Sequence, residues 1–279
     1  MNEGFNKQEI IKKYPFIEEE IKKENIEWNN LEKIYYDFNN YKELYKVQAD
    51  FIANTLRSHK KIHSVKSRIK NSEGLVEKIV RKTRDRKGKY GDDFYFNIEN
   101  YKVEITDLIG IRAIHIFKQD WEDIHEFILN TWKVIEITAN VRDGDDTKRF
   151  EELDIAIKSR KSGYRSVHYL VELNFIQSEP TIAEIQVRTI FEEGYGEIDH
   201  QLSYSNTKIP DILKSNLLLF NRLVGSADEM ASLINMLNKN LMELDNGYKG
   251  IVEEKEEYIK SLEEKIKRLE ENIEHKSKN

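Results

Sequence analysis

The stretch from Asp107 to Phe117, Asp-Leu-Ile-Gly-Ile-Arg-Ala-Ile-His-Ile-Phe, constrains this chain more than any other. It is an almost unbroken apolar run, far shorter than the ~20 residues a membrane helix needs. A run of this kind is expected of a strand covered on both faces. Three further segments read as strands: 133–139, 164–173 (Tyr-Arg-Ser-Val-His-Tyr-Leu-Val-Glu-Leu) and 181–188 (Thr-Ile-Ala-Glu-Ile-Gln-Val-Arg). A turn around Ser178-Glu179-Pro180 leads into the last of them. Segment 62–70 is short and alternating and reads as extended. Asn71-Ser72 offers an N-cap to a short helix with Leu75, Val76, Ile79 and Val80 on one face, and 121–131 suits a second helix. Strands and helices in this order predict an α+β fold, a mixed β-sheet flanked by helices.

The flanks have a different texture. Residues 6 to about 60 read as helical, with Leu31, Ile34, Tyr35, Phe38, Tyr41, Leu44 and Tyr45 on one apolar stripe. From about 211 the chain is helical again. Ile259, Leu262, Ile266, Leu269 and Ile273 follow a 3-4-3-4 spacing over only about two heptads, where three to four argue a coiled coil. A short coiled coil and a solvated helix both fit. The boundaries expected are an N-terminal helical extension over 1–60, a central domain over 61–208 and a C-terminal helical extension over 209–279. The charged stretch 83–93 reads as a loop, and 141–152 forms a polar excursion.

Composition removes several chemistries. The 279 residues include no Cys, which excludes a disulfide framework, a thiol nucleophile and Cys-ligated metal. The first residues hold no apolar signal region and no run could span a membrane, so the expected location is cytoplasmic. A formal charge of −6 argues against general affinity for nucleic acid, although local clusters remain possible binding elements. One such cluster is Lys66, Arg68, Lys70, Lys78, Arg81 and Lys82, suited to a polyphosphate. Neither GxxxxGK[ST] nor GxGxxG occurs.

Strand alternation sorts the remaining candidates by face. In 181–188, Glu184, Gln186 and Arg188 share a face, which is either a site floor or a half-solvated edge. In 164–173, Tyr164 and His168 share a face just after Arg160, Lys161 and Gly163. A flat ring beside cations suits base stacking, and a packed Tyr with a satisfied His fits equally. Asp107, at the mouth of the apolar strand, is a turn residue or a metal ligand. With Glu184 it can hold a hard cation such as Mg²⁺. His59 and His63 stand four apart without an obvious third ligand.

Four stretches occur in a telling order: Arg68-Ile-Lys70 with Lys78; Ile105-Thr-Asp107-Leu-Ile-Gly110-Ile-Arg112; Gly163-Tyr164-Arg165-Ser166-Val167-His168; and Glu184-Ile-Gln186-Val-Arg188-Thr189. Gly196-Glu197-Ile198-Asp199-His200 with Tyr204 follows. Over roughly 60–205 they resemble the synthetase domain of RelA/SpoT-type alarmone synthetases, and the flanking helices are similar to those of small single-domain members. The resemblance implies a nucleotidyltransferase-like sheet and transfer of pyrophosphate from ATP to the 3′-hydroxyl of GDP or GTP, giving (p)ppGpp and AMP. It implies that Arg68, Lys70 and Lys78 hold the ATP phosphates, and that Asp107 ligates Mg²⁺. Glu184 then joins the metal or takes the hydroxyl proton. Tyr164 stacks on the acceptor base with His168, Arg160 and Lys161 near it, and Gln186 and Arg188 support the floor. Where many relatives have Lys-Pro-Asn-Gly-Tyr, this chain has Arg160-Lys161-Ser162-Gly163-Tyr164. No His-Asp dipeptide occurs, and alarmone hydrolysis is not expected.

Two other outcomes use the same residues. One is a relative of the same fold that modifies the 3′ end of tRNA or makes adenosine alarmones. The other is a catalytically silent guanine-nucleotide-binding regulator. The helical extensions point to a homo-oligomer, because exposed apolar helix faces need a partner.

Overall fold

Local breaks divide the N-terminal helical region, residues 6 to about 60, into three helices. The computed structural model describes residues 4–173, 181–203 and 210–277; the turn expected around Ser178-Glu179-Pro180, and Tyr204, lie outside the described residues. Helix α1 (Lys7–Lys13) is capped by the Asn6 side chain, which accepts from the amides of Gln8 and Glu9. Pro15 separates it from α2 (Ile17–Lys23), and Asn25, at φ 52°, turns the chain into α3 (Trp28–Arg57). Helix α3 buries Leu31, Ile34, Tyr35, Phe38 and Tyr45 of the expected stripe, whereas Leu44 is exposed.

Six strands form one mixed sheet: β1 (Ser64–Ile69), β2 (Ile109–His115), β3 (Lys133–Val141), β4 (Ala156–Ser159), β5 (Ser166–Leu173) and β6 (Thr181–Thr189). Their spatial order is β1-β2-β6-β5-β3-β4. The pairs β2–β6 and β3–β4 are parallel and the other three antiparallel. The helices between and after the strands are α4 (Ser72–Tyr90), α5 (Tyr101–Glu104), α6 (Asp120–Thr131), α7 (Lys148–Glu152), α8 (Ile190–Ser203) and α9 (Asp211–Ser277). No helix among the described residues is long and apolar enough to cross a membrane.

The register gives the sheet two unlike faces. Ile111, Ile185, Tyr169 and Ile137 align across four strands, as do Ala113, Val187, Val167 and Ala139. This apolar face joins Phe38 and Ile52 of α3, Leu75 and Ile79 of α4, and Trp121 and Ile124 of α6 in one core. Each large aliphatic side chain buried there contributes ~1.5–3 kcal/mol. The opposite rows are polar: Lys66, Arg112, Gln186, His168 and Thr138 form one, and Arg68, Gly110, Glu184 and Leu170 the next.

Several expectations change in detail. Residues 83–90, read as loop, continue α4. Arg86 pairs with Glu104 at 2.5 Å and Lys87 donates to the Glu24 carbonyl at 2.7 Å, and these contacts offset the helix-weakening Gly88. Gly91, at φ 104°, ends the helix. The polar stretch 141–152 contains α7, and β4 follows it.

The compact units are Met1–Glu229 and Met230–Asn279, whereas the sequence texture drew boundaries at 60 and 208. Helices α1–α3 bury their apolar face in the same core as the sheet, and Leu217 and Val224 of α9 pack with Tyr195 of α8. The second unit is the helical stretch from Met230, whose apolar residues are mostly exposed.

Candidate active site

Strand β6 lies between β2 and β5, so its polar face is no sheet edge. Polar side chains in mid-sheet need partners, and here they partner one another. Arg188 Nη2 donates to Gln186 Oε1 at 3.3 Å, and Gln186 Nε2 donates to Glu184 Oε2 at 3.1 Å. His168 Nδ1 meets Glu184 Oε1 at 2.7 Å, and its Nε2 lies 3.2 Å from the Tyr164 hydroxyl. His168 thus bridges the two side chains, donating from Nδ1 to the Glu184 carboxylate and sharing a hydrogen bond with the Tyr164 hydroxyl at Nε2. Burial pushes the Glu184 carboxyl up, but the His168 hydrogen bond and charge outweigh it and hold the group below its ordinary value.

Asp107 sits in the turn before β2, not within the strand. Lys70, just past β1, reaches Asp107 Oδ2 at 2.9 Å, and Lys78 on α4 reaches Oδ1 at 2.8 Å. Burial opposes ionisation of Asp107, yet the two ammonium groups hold its carboxyl down at about 2. Lys70 shifts the other way from what an ion pair alone would give: its desolvation exceeds the attraction of Asp107, and Lys78 and Arg68 add repulsion. The pair is asymmetric because Asp107 has two cations and Lys70 only one anion. Like-charge repulsion from Asp107 also raises Glu184, so the two acids act on each other across the site. Arg68 is exposed and its side chain lies over Gly110, where an added Cβ would come within 3.3 Å of Nε.

Tyr164 precedes β5 rather than belonging to it, and its ring is half-buried. The Arg188 guanidinium lies 5.6 Å from the ring centre, within cation–π range. The preceding Gly163 has φ 78°, and an added Cβ there would stand 2.6 Å from Asn221 Oδ1. Asn221 Nδ2 also donates to the Gly163 carbonyl at 2.8 Å, so α9 anchors the turn that presents Tyr164. Arg160 and Lys161 are exposed. Arg160 Nε donates to Asn140 Oδ1 at 2.6 Å, so the structure does not bring Arg160 to Tyr164 or His168.

Three participants received no role from the sequence: Arg112 and Glu197, which lie in stretches that the resemblance quotes, and Glu193, which lies outside them. Buried Glu193 on α8 meets Lys66 at 2.8 Å, Arg188 at 2.9 Å and Arg112 at 3.3 Å. Arg112 also pairs with Glu197, one helical turn along α8. One signal was available: Arg112 is the only Lys, Arg, Asp or Glu between Leu108 and Phe117, and the strand register sets it beside Gln186.

Two ionised carboxylates, Asp107 and Glu184, are the hard oxygen donors Mg²⁺ takes from a protein, with water and phosphate completing its shell. No cluster of three or more such ligands exists among the described residues, and His59 and His63 join none. Acid, cations and ring together suit phosphate chemistry on a nucleotide.

Residues 67–209 match the family model described as the region found in RelA / SpoT proteins. The GTP pyrophosphokinase YwaC of Bacillus subtilis is 26% identical over 168 residues, which cover 59% of this chain and 69% of that protein. The GTP pyrophosphokinase YjbM of the same organism is 25% identical over 181 residues, 63% of this chain and 73% of that protein. The crystal structure of small alarmone synthetase 1 from Bacillus subtilis, bound to its product pppGpp, superposes with a TM-score of 0.56 at 20% identity. It covers 72% of this chain and 97% of that one, a likeness of fold. The matched model spans every polar row of the sheet from Arg68 to Arg188, and the chain belongs to the RelA/SpoT family.

Proposed function

We propose that this chain transfers a pyrophosphate group from ATP to the 3′-hydroxyl of GDP or GTP, giving (p)ppGpp and AMP. The observation that carries the reading is the polar sheet face itself. It joins Glu184, His168 and Tyr164 by hydrogen bonds and sets Asp107 between Lys70 and Lys78. Relatives bearing the name GTP pyrophosphokinase support it.

In this reading Arg68, Lys70 and Lys78 bind the ATP phosphates. Lys70 and Lys78 exchange the Asp107 carboxylate for phosphate oxygens, which releases Asp107. Tyr164 stacks on the acceptor base, its orientation held by His168 and the Arg188 guanidinium. Glu184, ionised because His168 stabilises its charge, accepts the proton of the 3′-hydroxyl. The oxygen then forms a bond to the β-phosphorus of ATP, the bond from that phosphorus to the α–β bridging oxygen breaks, and AMP leaves. Asp107 and Glu184 would hold Mg²⁺, which supplies neutralisation of charge on the phosphates. Gln186 and Arg188 keep Glu184 in place. Arg160 and Lys161 contribute positive potential from the rim. Much of the rate comes from positioning two nucleotides in line.

The test is chromatographic. The protein is incubated with β-labelled ATP, Mg²⁺ and, separately, GDP, GTP, ATP or tRNA. Labelled guanosine tetra- or pentaphosphate is the expected product. Labelled tRNA or adenosine alarmone without a guanosine product would overturn the acceptor assignment, and no labelled product with any acceptor would leave a nucleotide-binding regulator.

A further inference from the structure

The second compact unit, Met230–Asn279, carries a stripe that runs much further than the two heptads at its end. Met230, Ile234, Leu237, Leu241, Leu244 and Tyr248 follow alternate steps of four and three. A single step of four then leads to Val252. From there the positions 255, 259 and 262 continue, and the sequence repeats the spacing at Ile266, Leu269 and Ile273. The apolar members from Met230 to Leu262 are between 38% and 68% exposed, and all lie on one helix. Together the two phases extend over roughly six heptads, beyond the three to four that define a coiled coil.

We infer that residues 230–273 pair with the same segment of a second copy of this chain, as a parallel, in-register, two-stranded coiled coil. The a positions are Ile234, Leu241, Tyr248, Val252, Ile259, Ile266 and Ile273. The d positions include Met230, Leu237, Leu244, Leu262 and Leu269. β-branched residues at a with Leu at d favour two parallel strands. Charge selects the same direction. In the second phase the e positions are Glu256, Glu263 and Glu270. An antiparallel pair sets e against e, Glu facing Glu. A parallel pair sets each g against the next e of its partner, so Lys265 meets position 270, a Glu, and Tyr258 meets Glu263. The outer positions, Glu253, Glu254, Glu257, Lys260 and Glu264, are exposed and charged, as the solvent side requires. Lys255, a polar d residue, fixes register at a cost in stability. The shift of phase between Tyr248 and Val252 locally unwinds the supercoil. Gly247 and Gly250 stand there with open space around them.

The absence of Cys makes the test clean, because one introduced thiol is unique. Under mild oxidation the full chain carrying Ile259→Cys should form an interchain disulfide, and the chain carrying Glu264→Cys, at an outward f position, should not. An antiparallel coil centred near residue 252 would hold the two 259 positions about 20 Å apart, beyond disulfide reach. Adding Leu237→Asp and Leu244→Asp to Ile259→Cys should reduce crosslinking to the level of the Glu264→Cys control. Failure of Ile259→Cys to crosslink, equal crosslinking at 259 and 264, or crosslinking that survives both aspartates would each overturn the inference.

Discussion

Glu184 is held at both oxygens, by His168 on one side and Gln186 on the other. An amide at this position keeps the shape and an acceptor toward His168, but it cannot take a proton. Glu184→Gln should therefore lower pyrophosphate transfer by ~10²–10⁴-fold while the thermal unfolding midpoint stays within a few degrees. Transfer at the parental rate would remove the role given to Glu184. Tyr164 contributes differently. Its half-buried ring lies against the Arg188 guanidinium, and an aromatic stack is worth about 1–3 kcal/mol per base. Tyr164→Ala should raise the KM for GDP or GTP by about 5- to 150-fold and leave the KM for ATP nearly unchanged. Equal changes in both would indicate a collapsed site rather than a lost stack.

Between elements, the contacts of α9 with the turn before β5 and with the end of β6 decide how firmly Tyr164 is presented. Gly163 combines a left-handed backbone with an Asn221 side chain that leaves no room for a methyl group. Gly163→Ala should destabilise the fold by more than ~1 kcal/mol, read as a lower urea midpoint, and impair acceptor use along with it. Two residues further along β6 from Val187, Thr189 donates to buried Asp228 of α9 at 2.8 Å. Burial and the nearby Glu192 charge push the Asp228 carboxyl up to about 7, against the opposing Thr189 hydrogen bond. Folding thus favours its protonated form. That contribution is complete below the unfolded carboxyl value near 4 and is lost as pH rises to about 7. Asp228→Asn keeps an acceptor for Thr189 and cannot ionise. Its stability relative to the parent should rise from pH 4 to pH 7 and then level off, as followed by urea unfolding; a pH-independent difference would contradict the assignment.

Across the molecule, what could be read from the amino acids follows how local the cause is. The alternation of Glu184, Gln186 and Arg188 on one face, with Ile185 and Val187 on the other, is a two-residue period, and β6 realises it from Thr181 to Thr189. The persistence of α4 through Gly88 depended on distant partners such as Glu104 and Glu24, so neighbouring residues held no record of it. The same holds for Glu193, whose three cations come from β1, β2 and β6. Arg160 and Lys161 sit next to Tyr164 in the chain, yet both are exposed and Arg160 bonds to Asn140 of β3. Among the described residues, no buried hydrophobic side chain lies beyond Val224. A chain ending at Lys239 should therefore unfold within a few degrees of the parent by calorimetry, and a large drop would mean that the second unit supports the first.

The clamp on Asp107 has a consequence for which molecules can stay. The fold supplies its own anion to Lys70 and Lys78, so an arriving phosphate must evict a negative charge already seated there. A triphosphate, with about four charges, wins that contest comfortably. A monophosphate gains little from the swap. Under the proposed function, the internal carboxylate would act as a valence filter, admitting the nucleotide that begins the reaction and helping to expel the AMP that ends it.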